Sequence, residues 1–284
     1  MTQTTPILNG TLLLILVAGL LAGCAGGPGQ DAGLEAALRT ITADDLAADI
    51  RILSSDEFEG RGPSSPGEEK TIAFLKAEFA RACLQPGNGE SYFQEVPLVA
   101  ITASPKTELV IGGGTGTSRY EYGGQYMAWT KRVTEKAAIV DSEMIFIGYG
   151  SIAPEYDWND YAGIDVKGKT VVMLVNDPGY ATQDESLFNG NAMTYYGRWT
   201  YKFEEAARQG AAGAFIVHET KPAAYPWEVV EGSWTGEQFG LVPDDNNMSR
   251  AAIEGWFTVD TARAIFNQAG LNYDDLLHRH LEAQ

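Results

Sequence analysis

The stretch at 193–219, MTYYGRWTYKFEEAARQGAAGAFIVHE, constrains the fold most strongly, because a helical pattern runs directly into a strand pattern. Trp199, Phe203 and Ala206 recur at the spacing that places side chains on one face of a helix. A glycine follows the last polar residues, in the position where helices commonly end in a left-handed residue. The spacing predicts a helix at 198–209.

Apolar runs flank this predicted helix and have the length of buried strands. TVVMLVN occupies 170–176, AFIVH occupies 214–218, and a loop at 177–197 separates the first run from the helix. Together these segments predict a strand–helix–strand unit. In that unit Glu204 and Glu205 are predicted to lie on the solvated helix face rather than to act as a catalytic acid–base pair.

Helical and strand-like segments are both present along the rest of the chain. Helical patterns at 41–55 and 66–84 precede a strand at 92–101. The glycine-rich GGGTGT at 112–117 predicts a hairpin rather than a phosphate loop, because no helix follows it. An apolar content of 44% over 284 residues is enough for a sizeable core. The predicted fold class is α+β.

The first residues resemble an export signal rather than part of the fold. An apolar run at 11–21 is too short to span a bilayer, and LAGC, which ends at Cys24, is similar to a bacterial lipobox. No Lys or Arg precedes the run, so an ordinary cleaved signal or a chance apolar start stays open. We predict a signal peptide with lipobox at 1–24, lipidation of Cys24 and a flexible tether at 25–40.

The predicted location follows from this signal, and the charge limits the partners. We expect a cell envelope lipoprotein, on the periplasmic side or in the outer membrane, or a secreted protein, with membrane contact only through a lipid anchor. The net charge of −18 argues against binding nucleic acid or an anionic membrane through a basic face.

Residues that support hydrolytic chemistry are scarce. The sequence has neither G-x-S-x-G nor H-E-x-x-H. His278 and His280 are two positions apart on a predicted helix, so their side chains point away from each other. We expect His218 to be a hydrogen-bonded structural histidine and Cys83 to be a small buried hydrophobe. We therefore predict no catalytic residue, no metal ligand and no cofactor in this chain.

Three runs resemble a known class of secreted enzymes. DEFEGRGPSSPGEEKTIAFLKAEF at 56–79 and YFQEVPLVAI at 92–101 are similar to the start of bacterial secreted zinc aminopeptidases of peptidase family M-twenty-eight. FTVDTARAIFNQAGLNYDDLL at 257–277 resembles the segment that follows an inserted domain in these enzymes. The resemblance covers about 41–284.

The middle of the chain resembles the protease-associated domain that is inserted into many of these enzymes. The matching runs are FIGYGSIAPEYDWNDYAGIDVKGKTVVMLVNDPG at 146–179 and AMTYYGRWTYKFEEAARQGAAGAFIVHET at 192–220. The resemblance implies a β-rich protease-associated-type domain with a flanking helix at 105–257. An N-terminal peptidase segment at 41–104 and a returning helix at 258–284 would belong to an incomplete α/β aminopeptidase domain.

The family resemblance implies a two-zinc exopeptidase whose ligands begin with an H-x-D motif and whose general base is a glutamate. No H-x-D is present here, so no ligand or base is carried over. We expect the front portion of such an aminopeptidase, inactive alone, with both zinc ions in a missing catalytic half. Whether the chain is itself an enzyme stays open. The alternative is a stand-alone protease-associated module that binds peptides or a partner.

Aromatic residues at the helix entry and in EGSWTGEQF are the candidate substrate-facing residues. They are Tyr195, Tyr196, Arg198, Trp199 and Trp234. Aromatic rings and an arginine suit the apolar groups and the carboxylate of a peptide. The alternative, that these residues pack the core of their own domain, stays open.

The resemblance also implies that helices lack the sheet they would cover. We therefore expect the apolar faces of helices at 43–54, 66–83 and 259–281 to be exposed, over a larger area than monomers usually show.

Overall fold

The computed structural model describes residues 29–104 and 108–282, except for the side chains of 29–31 and 278–282. Cys24 and the predicted signal at 1–24 lie outside the described residues, so the lipobox stays a prediction. The chain divides into two compact units, one that ends at Gln94 and one that begins at Glu95.

The described part of the first unit is helical. Its α-helices are α1 (Gly29–Leu38), α2 (Ala43–Leu53) and α3 (Pro66–Arg81). The hydroxyl of Thr42 accepts a hydrogen bond from the backbone N–H of Asp45, and the hydroxyl of Ser65 accepts one from the N–H of Glu68. These contacts cap α2 and α3 and confirm both predicted helices. α1 lies within the predicted tether, whose role as a linker stays a prediction.

The apolar faces of α2 and α3 are exposed, as expected. Leu46 and Ile50 of α2, and Leu75 and Phe79 of α3, are between 38% and 65% exposed. Cys83 follows α3 in a left-handed conformation and is also exposed, so the expectation of a buried thiol is wrong. The helix ends at Arg81, so the side chain of Cys83 lies beyond the last helical residue and does not follow the helical spacing.

The second unit contains a five-stranded mixed sheet within the described residues, which confirms the α+β class. In spatial order its strands are β4 (Tyr126–Trp129), β11 (Ile253–Thr258), β9 (Gly213–His218), β8 (Thr170–Leu174) and β5 (Met144–Phe146). β4 pairs antiparallel with β11, and the other neighbours pair in parallel. Every residue of β8 and β9 is buried, as is typical of parallel strands covered on both faces.

Helices cover the two faces of this sheet. The predicted helix at 198–209 is α5 (Trp199–Arg208), and its Phe203 packs with Trp256 of β11 on one face. On the other face, α8 (Val259–Gln268) packs its Phe266 with Phe257. Trp256 and Phe257 are adjacent in sequence, but their side chains lie in the cores on opposite faces of the sheet, because side chains alternate across a strand.

The expectation of a single exposed helix at 259–281 is wrong. The segment forms α8 and then α9 (Tyr273–Glu282), with Gly270 in a left-handed conformation between them. Ala262, Ile265 and Phe266 of α8 are buried. The sheet of the second unit itself receives this apolar face, so the helix does not need a missing domain to cover it.

Short ribbons and helices complete the second unit. The predicted hairpin at 112–117 is confirmed, because β2 (Leu109–Gly113) pairs antiparallel with β3 (Gly116–Tyr120). The strand predicted at 92–101 is present only from Leu98 onward, as β1 (Leu98–Thr102), which pairs antiparallel with β10 (Glu237–Leu241). The remaining elements are β6 (Ile152–Ala153), β7 (Trp158–Asn159), α4 (Pro178–Thr182), α6 (Thr220–Ala223) and α7 (Trp227–Trp234). Within the described ranges, no helix is both long and apolar enough to cross a membrane.

Candidate functional site

Helix α5 carries the paired glutamates that the sequence places on a solvated face. Glu205 is only 6% exposed, so that prediction is wrong for this residue. Its carboxylate accepts hydrogen bonds from Arg208, with an Nη2–Oε2 distance of 2.7 Å, and from Gln209. Glu204 is half-buried and lies 3.5 Å from the guanidinium of Arg250. Both carboxylates form ion pairs. The pairing of Glu205 with Arg208 compensates for the burial of its negative charge.

A cavity of about 350 Å³ lies beside the start of α5. We call it the tryptophan cavity, because aromatic rings form most of its wall. Its aromatic and polar lining residues are Trp199, Tyr225, Trp234, Trp256, Ser233 and Gln238. Two valines of α7 complete the lining, so no charged side chain forms the wall. Concave apolar sites with a few polar groups are the usual form of a small-ligand site.

Ring stacking positions the cavity wall. The indole of Trp234, at the end of α7, stacks on the indole of Trp129 in β4, with centroids 3.6 Å apart. Trp199 meets Trp234 edge to face at 5.1 Å. Two residues that sequence analysis selected from separate segments, Trp199 and Trp234, therefore lie side by side in one site.

The other predicted substrate-facing residues do not form the described lining. The hydroxyl of Tyr196 donates to a carboxylate oxygen of Glu155 at 2.8 Å. Tyr195 is 59% exposed, and its hydroxyl lies 3.4 Å from Glu204. Arg198 is exposed and contacts the sulfur of Met193. Burial raises the pKa of Tyr225 in the wall, and the positive charge of Arg198 partly opposes this rise.

Lys131 supplies a positive charge next to the cavity. Its Nζ lies 5.4 Å from the ring centroid of Trp199. Burial lowers the pKa of Lys131, and the carboxylates of Glu254 and Glu204 partly oppose that effect. Both carboxylates are already bound to Arg250.

His218 lies behind the cavity, at the end of β9. It is 3% exposed, and the rings of Tyr225, Trp227 and Trp256 surround it at centroid distances of 5.4, 5.7 and 6.1 Å. Burial is the largest cause that lowers its pKa. Its Nε2 has no hydrogen-bond partner in the described part of the chain. An aromatic enclosure of this kind fits a neutral structural histidine.

The described residues do not fit the two zinc ions that the family resemblance implies. In the ranges 29–104 and 108–282, no three His, Cys, Asp or Glu side chains lie close enough together to hold a metal ion. His218 faces aromatic rings rather than carboxylates.

Helix α5 contains a buried lysine whose burial the sequence pattern did not predict. Lys202 is 0% exposed and donates a hydrogen bond from Nζ to the backbone oxygen of Tyr149. Burial lowers its pKa from the ordinary value of 10.5 to about 7, while Asp160 and Asp177 oppose the shift. Lys202 lies between Tyr201 and Phe203, which are both buried, and this position was the sequence feature that could have predicted its burial.

The two aspartates near Lys202 hold loops of the same unit. Asp160 accepts hydrogen bonds from the N–H of Ser151 and from the indole of Trp158, both at 2.8 Å. Asp177 accepts from the N–H and the hydroxyl of Thr194 through Oδ2. Asp177 Oδ1 has no hydrogen-bond partner among the described residues. This buried cluster organises the loop between β8 and α5.

Comparisons with known proteins give little further information about this chain. No protein-family model matches the chain. No curated protein matches it either. One similar solved structure is an aminopeptidase from Aneurinibacillus sp. strain AM-1, with 20% sequence identity and a TM-score of 0.37. The match covers 81% of this chain and 42% of that structure, so this chain spans less than half the length of the solved protein.

Proposed function

We propose that this chain is the front portion of a secreted or lipid-anchored zinc-dependent aminopeptidase and hydrolyses no peptide bond alone. The observation that carries the proposal is the resemblance to M-twenty-eight aminopeptidases at 56–79 and 92–101, and to their protease-associated insert at 146–179 and 192–220. In the proposal the zinc ligands and the general base belong to another part of a longer protein.

The structure supports the idea that the run at 146–220 is one folded module. Lys202, late in the run, donates to the carbonyl oxygen of Tyr149, near its beginning. Thr194 donates to Asp177 across the intervening loop. These contacts join the two parts of the run, 146–179 and 192–220, within one compact unit.

The test is an activity assay on residues 25–284 with added zinc. Chromogenic aminoacyl amides serve as substrates, beside a longer protein that includes any downstream coding sequence with an H-x-D motif. We expect turnover only in the longer protein. Zinc-dependent, chelator-sensitive turnover by residues 25–284 would contradict the proposal.

A second candidate function, peptide binding by the protease-associated-type module, is favoured by the tryptophan cavity. Four aromatic rings and two polar side chains line a space of about 350 Å³. This volume lies near the lower end of the range for ligand pockets, so it suits one side chain and its adjoining backbone. Titration with short peptides and detection by tryptophan fluorescence tests this function independently of hydrolysis.

A further inference from the structure

The tryptophan cavity has an uncharged wall and one positive charge beside it. Lys131 Nζ lies 5.4 Å from the ring centroid of Trp199, which belongs to the wall. This local sign is opposite to the net charge of the chain, which is −18.

The two carboxylates whose charge acts on Lys131, those of Glu254 and Glu204, are paired with Arg250. Arg250 binds Glu254 with an Nη2–Oε1 distance of 2.8 Å and also lies 3.5 Å from Glu204. In the described part of the chain, Lys131 forms no salt bridge of its own. A ligand carboxylate is therefore the complementary group for this lysine.

We infer that the tryptophan cavity binds a bulky apolar side chain whose residue carries a free carboxylate, as at the C-terminus of a peptide. This inference rests on the proposed peptide-binding function and names its ligand class. The apolar side chain packs against Trp199, Trp234 and Trp256, while Lys131 faces the carboxylate. Cation–carboxylate contacts at a partly desolvated site are stronger than at an open surface.

The experiment compares two probes that differ only in the terminal group, which is a charged carboxylate in one and a neutral amide in the other. N-acetyl-phenylalanine carries the carboxylate and N-acetyl-phenylalanine amide does not, and both are titrated into the purified chain by calorimetry and tryptophan fluorescence. We expect the amide to bind about tenfold more weakly, as is typical for the loss of a charged hydrogen-bond partner.

Three variants assign this difference to the cavity. Lys131→Met should remove most of the preference for the carboxylate, whereas Lys136→Met, at an exposed lysine, should keep it. Ser233→Leu should weaken both probes, because a larger side chain at this exposed lining position fills the cavity without changing the core.

The outcomes separate the inference from the function on which it rests. Equal affinity for the two probes, with binding still lost in Ser233→Leu, would overturn the carboxylate inference and leave peptide binding intact. No binding of either probe, or binding that Ser233→Leu does not change, would overturn both. Neither result bears on the proposed relation to aminopeptidases, which the hydrolysis assay tests.

Discussion

The indole ring of Trp234 lies flat on that of Trp129, with centroids 3.6 Å apart and an angle of 2° between the planes. Trp129 is buried in β4, whereas Trp234 is half-buried at the end of α7. The stack therefore fixes a surface helix to the edge strand of the sheet. It also sets the position of one wall of the tryptophan cavity.

Removal of this stack should destabilise the second unit. We expect Trp234→Ala to lower the free energy of unfolding by about 2 kcal/mol, roughly half the cost of truncating a fully buried tryptophan. Urea unfolding followed by circular dichroism measures the change. Leu241→Ala, at a side chain that is 65% exposed, is the control and should have little effect. Equal stability of the two variants would show that the stack contributes nothing.

Lys202 should make stability depend on pH. Its pKa is about 7 in the folded chain and 10.5 ordinarily, so the unfolded chain binds more protons between these values. Stability therefore rises with pH from about 7 to 10, by at most about 1.4 kcal/mol per pH unit from this group. Below pH 7 the lysine is charged in both states, and its contribution is constant.

The pH effect is measured as a difference between variants. Lys202→Met should lack this rise, whereas Lys221→Met, at an exposed lysine, should keep it. Denaturant titrations at intervals from pH 6 to 10 provide the comparison. Parallel stability curves for the parent chain and Lys202→Met would show that the buried amine keeps an ordinary pKa.

Gly255 should tolerate no side chain. A Cβ at this position of β11 would lie 2.5 Å from the carbonyl oxygen of Met127 and 2.5 Å from the ring of Phe215. We expect Gly255→Ala to cost about 1–3 kcal/mol, because both neighbours are held in the sheet and its core. Gly240→Ala, in β10, meets nothing within 4 Å and is the matched control. Thermal unfolding of the two variants tests the difference.

Cys24→Ala tests the predicted lipid anchor. The prediction rests on the LAGC sequence after a short apolar run. Several acyl chains hold a protein firmly at a membrane, whereas a single chain binds only marginally. We expect the variant to move from the membrane fraction to the soluble fraction on cell fractionation. Unchanged partitioning would contradict lipidation at this residue, and Cys83→Ala should leave the distribution unaltered.

Local sequence patterns were sufficient for the strand–helix–strand unit, the capped helices and the glycine-rich hairpin. In each case the information lies within a few neighbouring residues. Thr42 and Ser65 cap the helices that they precede, and Phe203 and Ala206 lie on the inward face of α5 as their spacing predicts. Periodicity reports these features because it follows directly from helix and strand geometry.

Tertiary structure alone decided how distant segments meet. β11 pairs with β4 on one side and β9 on the other, and α8 packs on the sheet that these strands share. The sequence gives no register between such segments. The expectation of an exposed helix at 259–281 was wrong for this reason. The sequence pattern indicated the apolar face of α8 but not the surface that covers it.

The amino-acid sequence by itself determined α2, α3, α5, the strands β8 and β9, and two of the aromatic residues in the cavity wall. Only the tertiary structure decided that Lys202 and Glu205 are buried and that Trp199 meets Trp234. A charged side chain is buried when a partner compensates for the loss of water. For Lys202 that partner is the carbonyl oxygen of Tyr149, in a loop that becomes its neighbour only when the chain folds.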